Sequence, residues 1–145
     1  MGKKIVITGG IGYIGTELCK IYSGYSWNDE VIALDNRFIS ERVNQLRNWN
    51  MNFVHGDILD KNLIKKYCHD ADVVHHLAGI TAVPRVKSDA NEEKEKEIER
   101  VAREGTQNIL DVINDKCKIV MPSTHVVYEG IKDIKEDILE NETTC

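Results

Sequence analysis

Between a run of β-formers, Lys4-Ile5-Val6-Ile7-Thr8, and an amphipathic stretch that starts at Ile14, the chain reads Gly9-Gly10-Ile11-Gly12-Tyr13-Ile14-Gly15, and Asp35 stands twenty residues beyond Gly15. Those residue types at that spacing suit a ligand built from phosphates and a sugar. A strand turning sharply into a helix needs backbone freedom at Gly9 or Gly10 that a Cβ would deny. Gly12 leaves room for a pyrophosphate, and Gly15 lets the helix lie close on the sheet. The uncovered N–H groups at the helix start, reinforced by the helix dipole, face the phosphates. Asp35 closes the next hydrophobic run, Glu30-Val31-Ile32-Ala33-Leu34. Its carboxylate accepts hydrogen bonds from adenosine ribose hydroxyls and repels a 2′-phosphate. The pattern therefore points to a dinucleotide, NAD in preference to NADP, although Arg37 two residues on offers a cation to the extra phosphate.

Glycines alone would only punctuate turns. Here a strand precedes them, a stripe of Ile14, Leu18, Ile21 and Tyr22 follows, and a second strand ends in an acid. Strand-like runs recur at 3–8, 30–35, 51–55, 72–77 and 117–122, with helical or loop stretches between them. This alternation predicts an α/β fold, a Rossmann-type doubly wound parallel sheet of about five strands with helices on both faces and a ligand crevice at the carboxyl ends of the strands. Glycine or polar chemistry follows each run: the glycine loop, Asp35, Gly56-Asp57-Ile58, Ala78-Gly79-Ile80 and Ser123-Thr124. Asp57 caps the helix near residues 60 to 67, contacts adenine, or does both.

The longest helix is expected from about Asp89 to Ile113, with Ile98, Val101, Ala102, Ile109, Leu110 and Ile113 as its apolar stripe. Its charged start, Glu92-Glu93-Lys94-Glu95-Lys96-Glu97, reads as a solvated face. Gly105 costs about 1 kcal/mol against alanine in a helix, which implies a packing reason such as close approach to the sheet. His75 and His76 point to opposite faces of one strand and read as structural. After Tyr128 the pattern dissolves, and no sixth strand is expected.

A chain of 145 residues has the size of one domain, and a net charge of −5 with scattered Lys and Arg does not support binding nucleic acid through a basic patch. No apolar run has bilayer length and the N-terminus lacks a signal-peptide core, so no membrane partner and a cytoplasmic location are expected. Cys19, Cys68, Cys117 and Cys145 lie far apart without zinc-ligand spacing, so they read as free thiols and no metal site is expected.

Taken in order, Thr8 to Gly15, Leu34-Asp35-Asn36, His55-Gly56-Asp57-Ile58, His76-Leu77-Ala78-Gly79, Ala82-Val83-Pro84-Arg85, Gly105-Thr106-Gln107-Asn108-Ile109-Leu110 and Ser123-Thr124-His125-Val126-Val127-Tyr128 resemble the extended short-chain dehydrogenase/reductase family, the NAD-dependent epimerases and dehydratases of nucleoside-diphosphate sugars. The resemblance implies that Gly9, Gly12 and Gly15, with Tyr13 and Ile14 between them, line the pyrophosphate. Asp35 and Asn36 would hold the adenosine ribose, Asp57 with Ile58 would flank adenine, and Leu77, Ala78 and Gly79 would pass along the cofactor. Thr124, with Ser123 beside it, falls where the family places a hydroxyl that bonds the reacting sugar; its bland alternative is a strand-end hydroxyl capping a turn.

Two departures stand out. Ala102 occupies a position where the family commonly has Asn three residues before Gly-Thr. Tyr128 and Lys132 satisfy the family's Tyr-x-x-x-Lys spacing, but Gly130 lies between them and Tyr128 follows the fifth strand almost at once. The resemblance thus implies that residues 1–145 form an NAD(P)-binding Rossmann domain that stops before the catalytic Tyr-x-x-x-Lys and lacks a C-terminal substrate domain. The parent enzyme would oxidise a sugar nucleotide by hydride removal and then return the hydride or eliminate. Such a chain should bind cofactor, catalyse poorly alone, and form homo-oligomers through the incompletely covered stripe from Ile98 to Ile113. The alternative is a self-sufficient non-enzymatic module that kept the fold and lost the chemistry.

Overall fold

Side chains alternate across a strand, so a run that is apolar at every position must be covered on both faces. The computed structural model describes residues 2–25, 28–81 and 92–123, and in it Ile5 to Ile7 of β1 (Lys4–Thr8) and Val31 to Leu34 of β2 (Glu30–Asp35) are such runs. Ile5, Ile7, Val31 and Ala33 face one side, where they meet Ile11 and Cys19 together with Val43 and Leu46. The first pair comes from α1 (Tyr13–Tyr25) and the loop before it, the second from α2 (Ser40–Asn48). Val6, Ile32 and Leu34 face the other side and pack with Ile58, Ile64, Cys68, Val74 and Ile109. That layer is built by α3 (Lys61–Cys68) and α4 (Glu92–Leu110).

With β3 (Asn52–His55), β4 (Val73–His76) and β5 (Lys118–Val120), the sheet has the order β3-β2-β1-β4-β5 and every pairing is parallel. β1 is central, and Val6 is in register with Ile32 on one side and Val74 on the other. The chain runs outward from β1 to β3 and then crosses back to β4. This reversal makes the carboxyl end of β1 a topological switch point, the place where such sheets bind ligands. The architecture is the Rossmann-type doubly wound sheet expected above.

Several details differ from the sequence reading. In α1 the buried positions are Gly15, Thr16 and Cys19, while Ile14 and Ile21 are exposed; only Leu18 and Tyr22 of the expected stripe pack on the core. The helix turns its glycine side inward because only that side lets it approach the β1 turn. The described part of the long helix starts at Glu92, so 89–91 lie outside the described residues, and Ala102 and Leu110 are exposed instead of joining the stripe. Gly105 does have a packing reason, but the neighbour it accommodates is the Ile58 side chain and not a strand. The cap of α3 is Asp60, whose carboxylate accepts from the N–H groups of Asn62 and Leu63 at 3.0 and 3.1 Å, and not Asp57.

The described thiols are free, and burial pushes those of Cys19 and Cys68 up to about 12, which keeps them protonated and unreactive. Cys145 lies outside the described residues.

Two glycines in different settings test this packing. A Cβ on Gly10 would lie 2.6 Å from the Ala33 Cβ and 2.8 Å from its Cα, whereas a Cβ on Gly24, in α1, meets nothing within 4 Å. Gly10→Ala should lower stability by about 1–3 kcal/mol through overpacking. Gly24→Ala should raise it by about 0.5–1 kcal/mol through helix propensity. Urea midpoints of the two variants check both signs.

Candidate functional site

At the carboxyl edge of the sheet a crevice of about 790 Å³ opens over the switch point. The size suits a cofactor-scale ligand. Its first wall is the turn from β1 into α1. Gly9 adopts φ +71°, the left-handed region that favours glycine, and its carbonyl accepts the Gly12 N–H at 2.9 Å. Gly10 N–H donates to the Leu34 carbonyl at 3.0 Å, which clamps the turn to β2. The Gly12 carbonyl accepts both Thr16 N–H at 3.0 Å and Thr16 Oγ1 at 2.8 Å, so the start of α1 is fixed against the loop. The first N–H groups of a helix have no intrahelical partner, and here Tyr13, Ile14 and Gly15, which carry them, line the crevice. A Cβ on Gly12 would stand 3.0 Å from the Gly9 carbonyl and 3.7 Å from Arg37 Nη2, filling the hollow between them.

The second wall comes from the ends of β2 and β3. Asp35 is buried at 4% exposure. Its Oδ2 accepts the Ile11 N–H at 3.3 Å, and its Oδ1 accepts the Arg37 N–H at 3.0 Å and Arg37 Nε at 3.2 Å. Asn36 Nδ2 donates to Asp57 Oδ2 at 3.0 Å, and Asp57 Oδ1 accepts the Leu59 N–H at 2.9 Å. Asp57 is therefore a tie between the two strand ends and holds Ile58 in place. Arg42 of α2 donates from Nη1 to the Ile11 carbonyl.

The third wall follows β4 and is fixed by a buried relay. His76 Nδ1 lies 2.8 Å from Thr8 Oγ1, and its Nε2 lies 3.0 Å from Thr106 Oγ1 on α4. Thr8 Oγ1 also accepts the Ala78 N–H at 3.3 Å. A neutral ring satisfies all three partners when Thr8 donates to Nδ1 and Nε2–H donates to Thr106, an assignment inferred from the partners themselves. Burial lowers the His76 pKa from its ordinary value and favours that neutral form. His75 faces the opposite side of β4, where its Nε2 lies 2.7 Å from the Tyr22 hydroxyl. Both histidines thus cross-link elements, as expected of structural residues.

The structure gathers at this one crevice Gly9, Gly12, Tyr13, Ile14 and Gly15, then Asp35 and Asn36, Asp57 and Ile58, and Leu77, Ala78 and Gly79. Pro122 also lines it, and Ser123 follows as an exposed residue. Thr124, Tyr128 and Lys132 lie outside the described residues, as does the Ala82-Val83-Pro84-Arg85 element. Sequence reasoning missed Arg42, Arg100 and Val101 as lining residues. Glu97, the last of the charge run read as a solvated face, also reaches the crevice. Position on α2 and α4 decides these, and no local motif marks them. Among the described residues no group of three or more His, Cys, Asp or Glu could hold a metal ion, and no helix is long and apolar enough to cross a membrane.

Fold and crevice together define a Rossmann-type unit of the dinucleotide-binding class. Residues 6–144 match the 3-beta hydroxysteroid dehydrogenase/isomerase family, and the chain belongs to it. Its curated relatives include CDP-paratose 2-epimerase of Salmonella typhi, 32% identical over 98% of this chain and 43% of that protein. UDP-glucose 4-epimerase of Yersinia enterocolitica is 33% identical over 86% of this chain and 38% of its own length. The chain therefore spans about two-fifths of these relatives. Among solved structures, UDP-glucuronic acid 4-epimerase of Bacillus cereus, in complex with UDP-4-deoxy-4-fluoro-glucuronic acid and NAD, superposes with a TM-score of 0.71 at 28% identity, covering 94% of this chain and 45% of that one. These likenesses agree with the epimerase and dehydratase resemblance seen in the sequence.

The relay has a pH signature. With a folded pKa below the ordinary histidine value of 6.5, His76 binds fewer protons folded than unfolded, so its contribution to stability is full above about pH 6.5 and is lost as pH falls through the folded pKa. Urea unfolding at pH 7.5 and 5.5 should show lower stability at the acid pH. His76→Gln, compared under the same conditions, should have a smaller pH difference.

Proposed function

We propose that this chain binds NAD in the crevice and is the cofactor-holding part of a sugar-nucleotide epimerase or dehydratase. The convergence of the glycine turn, Asp35 and the Asn36–Asp57 tie on one crevice at the switch point carries this reading. In it, the helix-start N–H groups of Tyr13 and Ile14 receive the pyrophosphate, Gly12 leaves it room, and Gly9 and Gly15 let the turn and the helix close on neighbouring backbone. Asp35 and Asn36 accept and orient the adenosine ribose, Asp57 and Ile58 border adenine, and Leu77, Ala78 and Gly79 border the nicotinamide half. A nicotinamide dinucleotide bound there supplies reversible hydride acceptance.

The substrate reading rests on the relatives. The family description names steroid chemistry, but curated relatives that match 86–98% of the chain are named as sugar-nucleotide enzymes, which favours a nucleoside-diphosphate sugar. In this reading Ser123 and Thr124, which follow β5 in the sequence, supply a hydroxyl to the substrate. We assign the proton-transferring tyrosine to a residue other than Tyr128, because Gly130 weakens the helix that would bring Lys132 to its side. The remaining substrate-binding groups and the catalytic Tyr-x-x-x-Lys are assigned to sequence outside this chain, and a cytoplasmic setting goes with such an enzyme. Self-association would use the α4 face that leaves Ala102 and Leu110 exposed. The non-enzymatic alternative is not favoured, since relatives matching nearly all of the chain carry enzyme names.

Calorimetric titration with NAD and NADP tests the cofactor reading. The chain should bind NAD more tightly than NADP, and Gly12→Val should abolish both by filling the hollow beside Gly9 and Arg37. Asp35→Ala should weaken NAD by about 10- to 100-fold, the range for losing charge-assisted hydrogen bonds, and weaken NADP less. Retention of full NAD affinity by Gly12→Val would remove the crevice from cofactor binding.

A further inference from the structure

The Asp35 carboxylate, which the cofactor reading assigns to the ribose, is already saturated. An ionised carboxylate is acceptor-only and offers about four lone-pair sites. Four N–H donors meet Asp35: the Ile11 N–H at 3.3 Å and Arg37 Nη2 at 3.4 Å on Oδ2, and the Arg37 N–H at 3.0 Å and Nε at 3.2 Å on Oδ1. Two of these donors are peptide groups held by the backbone of the β1–α1 turn and of the segment after β2. The other two belong to one guanidinium whose side chain is 56% exposed. Only that side chain can give way without rebuilding the loop.

We infer that Arg37 is a specificity-determining residue that acts as an internal competitor for the ribose-recognising carboxylate. The inference rests on the crevice being a dinucleotide site. Ribose hydroxyls can reach Asp35 only when the Arg37 guanidinium leaves it, so Arg37 lowers the affinity for NAD. In its paired position Arg37 Nη2 already stands beside the glycine turn, 3.7 Å from where a Cβ on Gly12 would be. A guanidinium that swings off Asp35 from that position remains a cation on the ribose side of the crevice, where Asp35 by itself would repel a 2′-phosphate. One side chain therefore disfavours NAD and supports NADP, and it compresses the discrimination that Asp35 alone would produce. Its exposure keeps this effect modest and sensitive to salt.

The test is calorimetric titration of NAD and NADP into the wild-type chain, Arg37→Ala, Asp35→Ala and the double variant, with thermal melts confirming that each is folded. Arg37→Ala should tighten NAD by about 2- to 5-fold, the range for removing a weak exposed ion pair, and weaken NADP by about tenfold. In the Asp35→Ala background the gain in NAD affinity should vanish, because the competitor has lost its carboxylate. Arg37→Ala weakening both cofactors alike, or tightening NAD equally in both backgrounds, would overturn the inference while leaving the cofactor site standing. Failure of the wild-type chain to bind either dinucleotide would overturn the site and this inference together.

Discussion

Three backbones meet where β1 ends, and there is no room between them for side chains. A Cβ on Gly9 would lie 2.8–2.9 Å from the Leu77–Ala78 backbone, one on Gly10 would press on Ala33 of β2, and one on Gly15 would strike the Gly9 carbonyl. The left-handed φ at Gly9 then turns the chain from the sheet into α1. This crowding draws β1, β2 and the segment after β4 together around the switch point. It also leaves a hollow lined by backbone, so the packing that closes the core is the same packing that opens the crevice.

Polar ties hold the crevice walls to that turn. Thr8, His76 and Thr106 connect the end of β1, the end of β4 and α4, three elements far apart in sequence. Asn36 and Asp57 connect the ends of β2 and β3. Among the described residues no buried side-chain nitrogen or oxygen lacks a hydrogen-bond partner, so these ties carry no desolvation cost left unmet. The histidine cross-links Thr8 and Thr106, and its burial lowers its pKa and favours the neutral form.

The chain is acidic overall, yet the crevice collects Arg37, Arg42 and Arg100 from three separate segments. Arg37 is tied to Asp35 and Arg42 to the Ile11 carbonyl, so both cations stand beside the glycine turn. Asp35, Asp57 and Glu97 line the same crevice, so its formal charges balance and the cations are local to the turn. The start of α1 stands at the same turn, and a helix N-terminus favours an anionic group.

The order and types of residues determined the strand runs, the parallel α/β class and the glycine and strand-end residues that gather at the crevice. Each follows from a local rule: unbroken apolar runs must be buried on both faces, tight turns need glycine, and ligands meet strand ends. Tertiary structure decided which side of α1 faces inward, because Gly15 and not Ile14 permits the close approach to the β1 turn. It chose Asp60 over Asp57 as the helix cap, placed Gly105 against Ile58, and brought Arg42 and Arg100 to the crevice. It also set Arg37 on the acid two residues before it, an arrangement that depends on where the Ile11 N–H and Gly12 stand. The fits of Gly15 and Gly105 and the arrival of Arg42 and Arg100 are contacts between segments distant in sequence, and a local pattern contains no information about which distant surface will arrive.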